Sequence, residues 1–169
     1  MKGIQLTLGL LALLIVTSCS TKTQSDESKF HGMWALDKFE AFDSLTKKWT
    51  IDTIRIGMSG YILYDGQGHM GVHLIPKGYQ DFDTSRKIDS LQHDDLKKLA
   101  RFYRSNFVYF ANYSLTGTKI DHNRLTATEP GNWGTTLTRD FDFKGDTLIL
   151  TARETIGGQH LRLRWVKLE

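Results

Sequence analysis

His31-Gly32-Met33-Trp34 is where the chain changes character. Before it lies a run of polar residues. After it, apolar-alternating segments follow one another to Glu169, most of them ended by a glycine-marked turn. A Gly two residues ahead of a Trp opens the first strand-like run, Met33 to Phe42. In that run Trp34 and Leu36 share one face, and Phe39 and Ala41 the other. Side chains on a strand alternate with period two, so this switch of parity predicts a bulge or a strong twist inside the strand.

Outward from that stretch the pattern repeats. Trp49 to Asp52 reads as a short strand or part of a long connection. Ile54, Ile56, Met58, Ile62 and Tyr64 alternate with Arg55, Ser59 and Asp65, which predicts one half-buried strand from Ile54 to Asp65. Asp65-Gly66-Gln67-Gly68 is a turn, and Met70, Val72 and Leu74 continue the apolar face. After a polar connection, Asp89 to Arg104 reads as a helix. Asp89 or Ser90 can cap it, Asp94 and Asp95 lie early, and Lys97, Lys98, Arg101 and Arg104 lie late, as the helix dipole favours. Its stripe of Leu91, Leu99, Phe102 and Tyr103 suits packing on the barrel wall or over one end, or a movable lid. Five further strands follow, Phe107 to Leu115, Ile120 to Thr128, Thr135 to Phe143, Asp146 to Glu154 and Gln159 to Leu168. Short strands joined by tight turns make an up-and-down sheet. The fold expected is therefore all-β: an up-and-down antiparallel β-barrel of about eight strands, with one α-helix inserted mid-chain, wide enough for side chains or one small ligand.

Residues 1–18 are a different material, with Lys2 ahead of an apolar run from Leu6 to Val16. This is the pattern of a secretory signal, too short for a spanning helix of about 20 apolar residues. Its end, Val16-Thr17-Ser18-Cys19, resembles the lipobox of bacterial lipoproteins, in which the Cys carries the lipid. Cys19 is the one cysteine of the chain, so the mature protein forms no internal disulfide. Lipidation at Cys19 would add several acyl chains, and stable anchoring takes more than one. Ser20, rather than Asp, follows it; the resemblance then implies the outer membrane, with periplasmic and surface faces both open. Residues 19–29 hold no apolar side chain beyond Cys19 and read as a lipidated N-terminus and flexible tether, and 30–169 as the barrel. The net charge of +3 is not gathered into basic clusters, which argues against nucleic acid as a partner.

The folded part resembles the bacterial lipocalin-like domain family. Gly32-Met33-Trp34 is similar to the first-strand motif of lipocalins. Further stretches match in order: Gly60-Tyr61-Ile62 with Tyr64, Gly68-His69-Met70, Tyr109-Phe110 with Tyr113, Ile120 with His122, Pro130-Gly131-Asn132-Trp133, and Arg139 with Phe141. The resemblance implies a small barrel with a ligand cavity and no established reaction. It also implies that Gly32 and Trp34 form the barrel base, with an Arg of the last strand closing over the Trp. Arg162 and Arg164 are both available, and the reading leans to Arg164.

Alternation locates a candidate site. On Thr135 to Phe143, Leu137, Arg139, Phe141 and Phe143 share a side, so Arg139 points where the phenylalanines point; Ile120 and His122 share a face on the strand before. A buried guanidinium needs a partner to offset its desolvation, here Glu154 or a ligand anion. Arg139, His122, Tyr113, Tyr64 and Met70 are therefore the candidate ligand-binding residues, a polar spot that would orient a small hydrophobic or amphipathic molecule. The alternatives are a structural module whose barrel is filled, and a cofactor-free isomerase or lyase using His122. Metal ligation fails on spacing. His69 and His73 share a strand face but stand roughly 13 Å apart at the strand rise, too far for one ion. No nucleophile elbow, phosphate loop or dinucleotide fingerprint occurs, so no catalytic residue, metal or cofactor is assigned.

Overall fold

The computed structural model describes residues 21–169, with side chains from Asp26 onward. The signal segment 1–18 and Cys19 lie outside the described residues. The polar stretch expected as a tether is helical in its latter part, forming α1 over Thr21–Phe30. Lys29 pairs with Asp26 at 2.8 Å on its surface. Phe30, its one apolar residue, is fully buried.

Among the described residues nine strands make one antiparallel sheet. They are β1 Gly32–Asp43, β2 Lys48–Ile51, β3 Ser59–Tyr64, β4 His69–Ile75, β5 Phe107–Thr116, β6 Lys119–Ala127, β7 Thr136–Lys144, β8 Thr147–Ile156 and β9 Gln159–Lys167. From β3 to β9 each strand pairs with the next. β1 pairs with β3 along one edge and with β9 along the other, which closes eight strands into a barrel. β2 lies outside it, paired with the end of β1 from Glu40 to Asp43.

The parity switch in β1 has the expected cause. The pairing of β1 with β9 shifts register between Leu36 and Lys38, so Trp34, Leu36 and Phe39 all pack into the interior. The long strand expected from Ile54 is shorter. Residues 52–58 turn, and only Ser59–Tyr64 is strand. Buried Asp52 forms that turn, its carboxylate accepting from the backbone N–H of Ile54 at 2.9 Å and from Arg55 at 2.5 Å. Ile54 and Ile56 are left exposed. Local side-chain to backbone bonding has overridden an alternating pattern.

α2 runs over His93–Ser105, after a short 3-10 turn at Ile88–Ser90. Phe102 packs edge-on against Tyr79 and Phe82, which joins α2 to the connection after β4.

The strand ends that begin β1 and finish β9 form the base. There the ring of Phe30 stands 5.0 Å from each of Tyr64, Phe141 and Phe143, and its carbonyl accepts from Trp34 Nε1 at 2.8 Å. The plug is thus Phe30 together with Trp34. Gly32, at φ +117°, lets the chain turn from α1 into β1, and a Cβ there would meet the Lys167 side chain at 3.3 Å. The cation over the Trp34 ring is Lys167, at 5.3 Å. This corrects the assignment to Arg164. On β9 the odd positions Leu161, Leu163 and Trp165 face inward, and Lys167 continues that parity at the base. Arg164 faces outward opposite Lys38, and Arg162 binds Glu40 at 2.5 Å and stacks 4.6 Å over Trp49 of β2.

Candidate functional site

The barrel is not filled. A cavity of about 1290 Å³ extends from its middle to the end opposite Phe30, where its rim includes the exposed Ile54, Ile56 and Lys77. Its walls are apolar side chains that alternation turns inward, such as Phe39 of β1, Ile62 of β3, Val72 and Leu74 of β4, Leu150 of β8 and Leu163 of β9. Of α2 only Ser105 lines it.

Four polar side chains on that wall come from neighbouring strands. Ile120, His122 and Arg124 alternate inward on β6, Tyr109 faces them from β5, and Arg139 faces them from β7. His122 is 1% exposed and held at both ring nitrogens, by Tyr64 Oη at 3.0 Å on Nε2 and by Tyr109 Oη at 2.7 Å on Nδ1. A neutral imidazole donates through one nitrogen and accepts through the other, so one tyrosine hydroxyl accepts a hydrogen bond here and the other donates one. Burial, reinforced by the guanidinium charges of Arg139 and Arg124, lowers the His122 pKa to about 3. The imidazole is therefore neutral at pH 7. Burial likewise pushes the Tyr64 and Tyr109 hydroxyls upward, and both stay protonated.

The two arginines differ in their partners. Arg139 Nη1 donates to Glu154 at 2.8 Å and to the Thr138 carbonyl at 3.0 Å. Arg124 donates to the Thr135 hydroxyl, and through Nε to the Thr135 carbonyl at 3.4 Å; its guanidinium lies 5.9 Å from the Tyr109 ring. Burial lowers the Arg124 pKa and the charge of Arg139 adds to this, while Tyr109 and Glu154 oppose it.

Of the residues named from sequence, the structure brings Arg139 and His122 to the cavity wall. Tyr64 sits behind His122 and orients it. Tyr113 lies deeper, edge-on to Tyr64 at 5.1 Å, and Met70 is buried in the core beside Ala111; neither lines the cavity. They share the inward parity but fall on the base side of the barrel. Arg124 and Tyr109 were missed. The signal for Arg124 was present, since the alternation that picks out Ile120 and His122 continues to it. Of the remaining histidines, His69 binds Asp65 at 2.6 Å and His73 binds Asn106 at 2.5 Å. Among the described residues no group of three or more His, Cys, Asp or Glu side chains could hold a metal ion.

A barrel closed by sheet pairing, plugged at one end and hollow toward the other, is a calyx-type β-barrel. Residues 31–166 match the lipocalin-like domain, and the chain belongs to that family. Among solved structures, a variant of the fluorescent protein UnaG is 15% identical over 84% of this chain and 98% of that one, with a TM-score of 0.40. A Schistosoma mansoni fatty acid binding protein in complex with arachidonic acid is 14% identical over 85% and 98%, with a TM-score of 0.39. No curated protein matches the chain.

Proposed function

We propose that this protein is a lipid-anchored envelope protein that carries a small hydrophobic or amphipathic molecule in its barrel. The observation that carries the reading is the cavity of about 1290 Å³, apolar over most of its wall, with Arg139, His122, Tyr109 and Arg124 among its polar lining. Ligand sites are concave and mainly apolar, with a few polar groups that fix orientation. Anchoring rests on the match of Val16-Thr17-Ser18-Cys19 to a lipobox, with Ser20 favouring the outer membrane. A filled structural barrel fits a cavity of this size poorly. An isomerase or lyase using His122 as its base would need the ring to take up a proton near pH 7, which burial and the charges of Arg139 and Arg124 disfavour.

Mass spectrometry of small molecules that co-purify with the protein tests the reading, together with titration of a hydrophobic fluorescent dye. Leu137→Trp fills part of the cavity from its wall and should lower dye affinity at least several-fold. Absence of co-purified molecules together with no dye binding to the native protein would overturn it.

A further inference from the structure

The ligand's head group follows from a charge imbalance inside the barrel. Two guanidiniums, Arg124 and Arg139, stand on the cavity wall, each 8% exposed. One carboxylate, Glu154, accompanies them, and it belongs to Arg139. Arg124 makes its hydrogen bonds to the hydroxyl and carbonyl of Thr135, and Glu154 acts on it only from a distance while bonded to Arg139. The two Thr135 groups are neutral acceptors that use two of its five N–H groups. A buried cation without a counter-charge is costly, and the other charges at the rim do not supply one. Arg55 is paired with Asp52, Arg153 with Asp140, and Lys77 adds a further positive charge.

We infer that the molecule carried in the barrel is a single-headed anionic amphiphile, a carboxylate or phosphate monoester with an apolar tail, whose head binds Arg124. The inference rests on the ligand-carrying reading above and deepens it. Arg124 presents a planar fork of donors suited to two oxygens of an anion, and Thr135 fixes that fork from behind. The tail then lies among Ile62, Val72, Leu150 and Leu163. Lys77 at the rim favours anions on approach, since a cleft of one sign raises the local concentration of the other. Arg139 contributes less, because Glu154 already neutralises it.

The test is calorimetric titration of the full chain in lipid nanodiscs, with empty nanodiscs as blank, using decanoate, decyl phosphate and 1-decanol. The three share a tail and differ in head charge. At least one anion should bind about tenfold or more tightly than the alcohol, the scale of a charge-assisted hydrogen-bonded contact. The tighter of the two names the head group. Arg124→Gln should bring the anion-to-alcohol affinity ratio close to one, and Arg139→Gln should lower it less. If the native protein binds all three equally, the inference falls and the carrier reading stands. If it binds none, both fall. A larger drop in the ratio for Arg139→Gln than for Arg124→Gln overturns the assignment to Arg124. The native comparison decides the charge preference even if a variant does not fold.

Discussion

His122 shows how much one side chain depends on its surroundings. Its ring is enclosed by two tyrosine hydroxyls and two guanidiniums, and burial drops its pKa from 6.5 to about 3. Between those values the unfolded chain binds a proton that the folded chain excludes. Stability therefore rises with pH across that window and falls as pH is lowered from 6.5 toward 3, by up to roughly 1 kcal/mol per pH unit. The midpoint of urea unfolding should fall steadily from pH 6.5 to pH 4, and His122→Gln should flatten that slope. An equally steep slope in the variant would assign the dependence to other groups. The depressed carboxylate of Asp65, with a pKa of about 2, acts below this range, because its contribution is lost only as pH falls under 3.8. A second residue-scale expectation concerns Glu154. Glu154→Gln removes the carboxylate held by Arg139 and leaves two unneutralised guanidiniums on the wall. Affinity for an anionic amphiphile should rise several-fold in the same calorimetric titration, and unchanged affinity would mean that Arg139 does not reach the head group.

At the scale of elements, α1 and the base of the barrel depend on each other through one residue. A helix of ten mostly polar residues is too short to hold itself in water. What fixes its end is Phe30, set among Tyr64, Phe141 and Phe143, with Trp34 bonded to its carbonyl. Phe30→Ala should cost about 3 kcal/mol or more in denaturant unfolding, the usual scale for emptying a buried aromatic site. A loss under 1 kcal/mol would show the barrel base to be closed by Trp34 alone. The sequence makes the strands legible because each has one buried face, and a period of two survives single exceptions. Even the bulge in β1 could be read, as a change of parity between Leu36 and Phe39. Phe30 could not be read in this way, since a lone apolar residue ending a polar run has no periodicity. The turn at residues 52–58 was hidden for the opposite reason. Ile54 and Ile56 alternate as a strand would, yet the Asp52 carboxylate bends the chain. The site was half legible: parity placed Arg139 and His122 inward, but which tyrosines reach His122 depends on the curvature of the closed barrel. Tyr64 is 58 residues away in sequence.

For the whole molecule, the arrangement of plug and mouth gives the barrel a direction. Phe30 and Trp34 close one end, and the cavity reaches the surface at the other, between the turn at residues 52–58 and the start of β7. α1 stays near the closed end, where Glu27, Ser28 and His31 border a hollow shared with the turn from Asp65 to Gln67. Cys19 precedes Thr21 by two residues, at most about 7 Å of extended chain, and α1 adds about 15 Å at the helical rise. α1 joins the barrel at its base through Phe30, so an anchor at Cys19 would be tied to the barrel at that end. Lipidation at Cys19, as proposed above, would then hold the base against the bilayer with the mouth turned away from it. The ligand would exchange with the aqueous side or with a partner there. Single cysteines test this orientation in the acylated protein, whose own Cys19 is blocked. Thr155→Cys lies at the mouth in the exposed end of β8, and Asp146→Cys at the base in the exposed turn before β8. A bulky maleimide-polyethylene glycol should label Thr155→Cys at the same rate in detergent and in proteoliposomes. Asp146→Cys should react several-fold more slowly once the bilayer is present. The reverse order of protection would turn the mouth toward the membrane and make the anchoring bilayer itself the source of ligand.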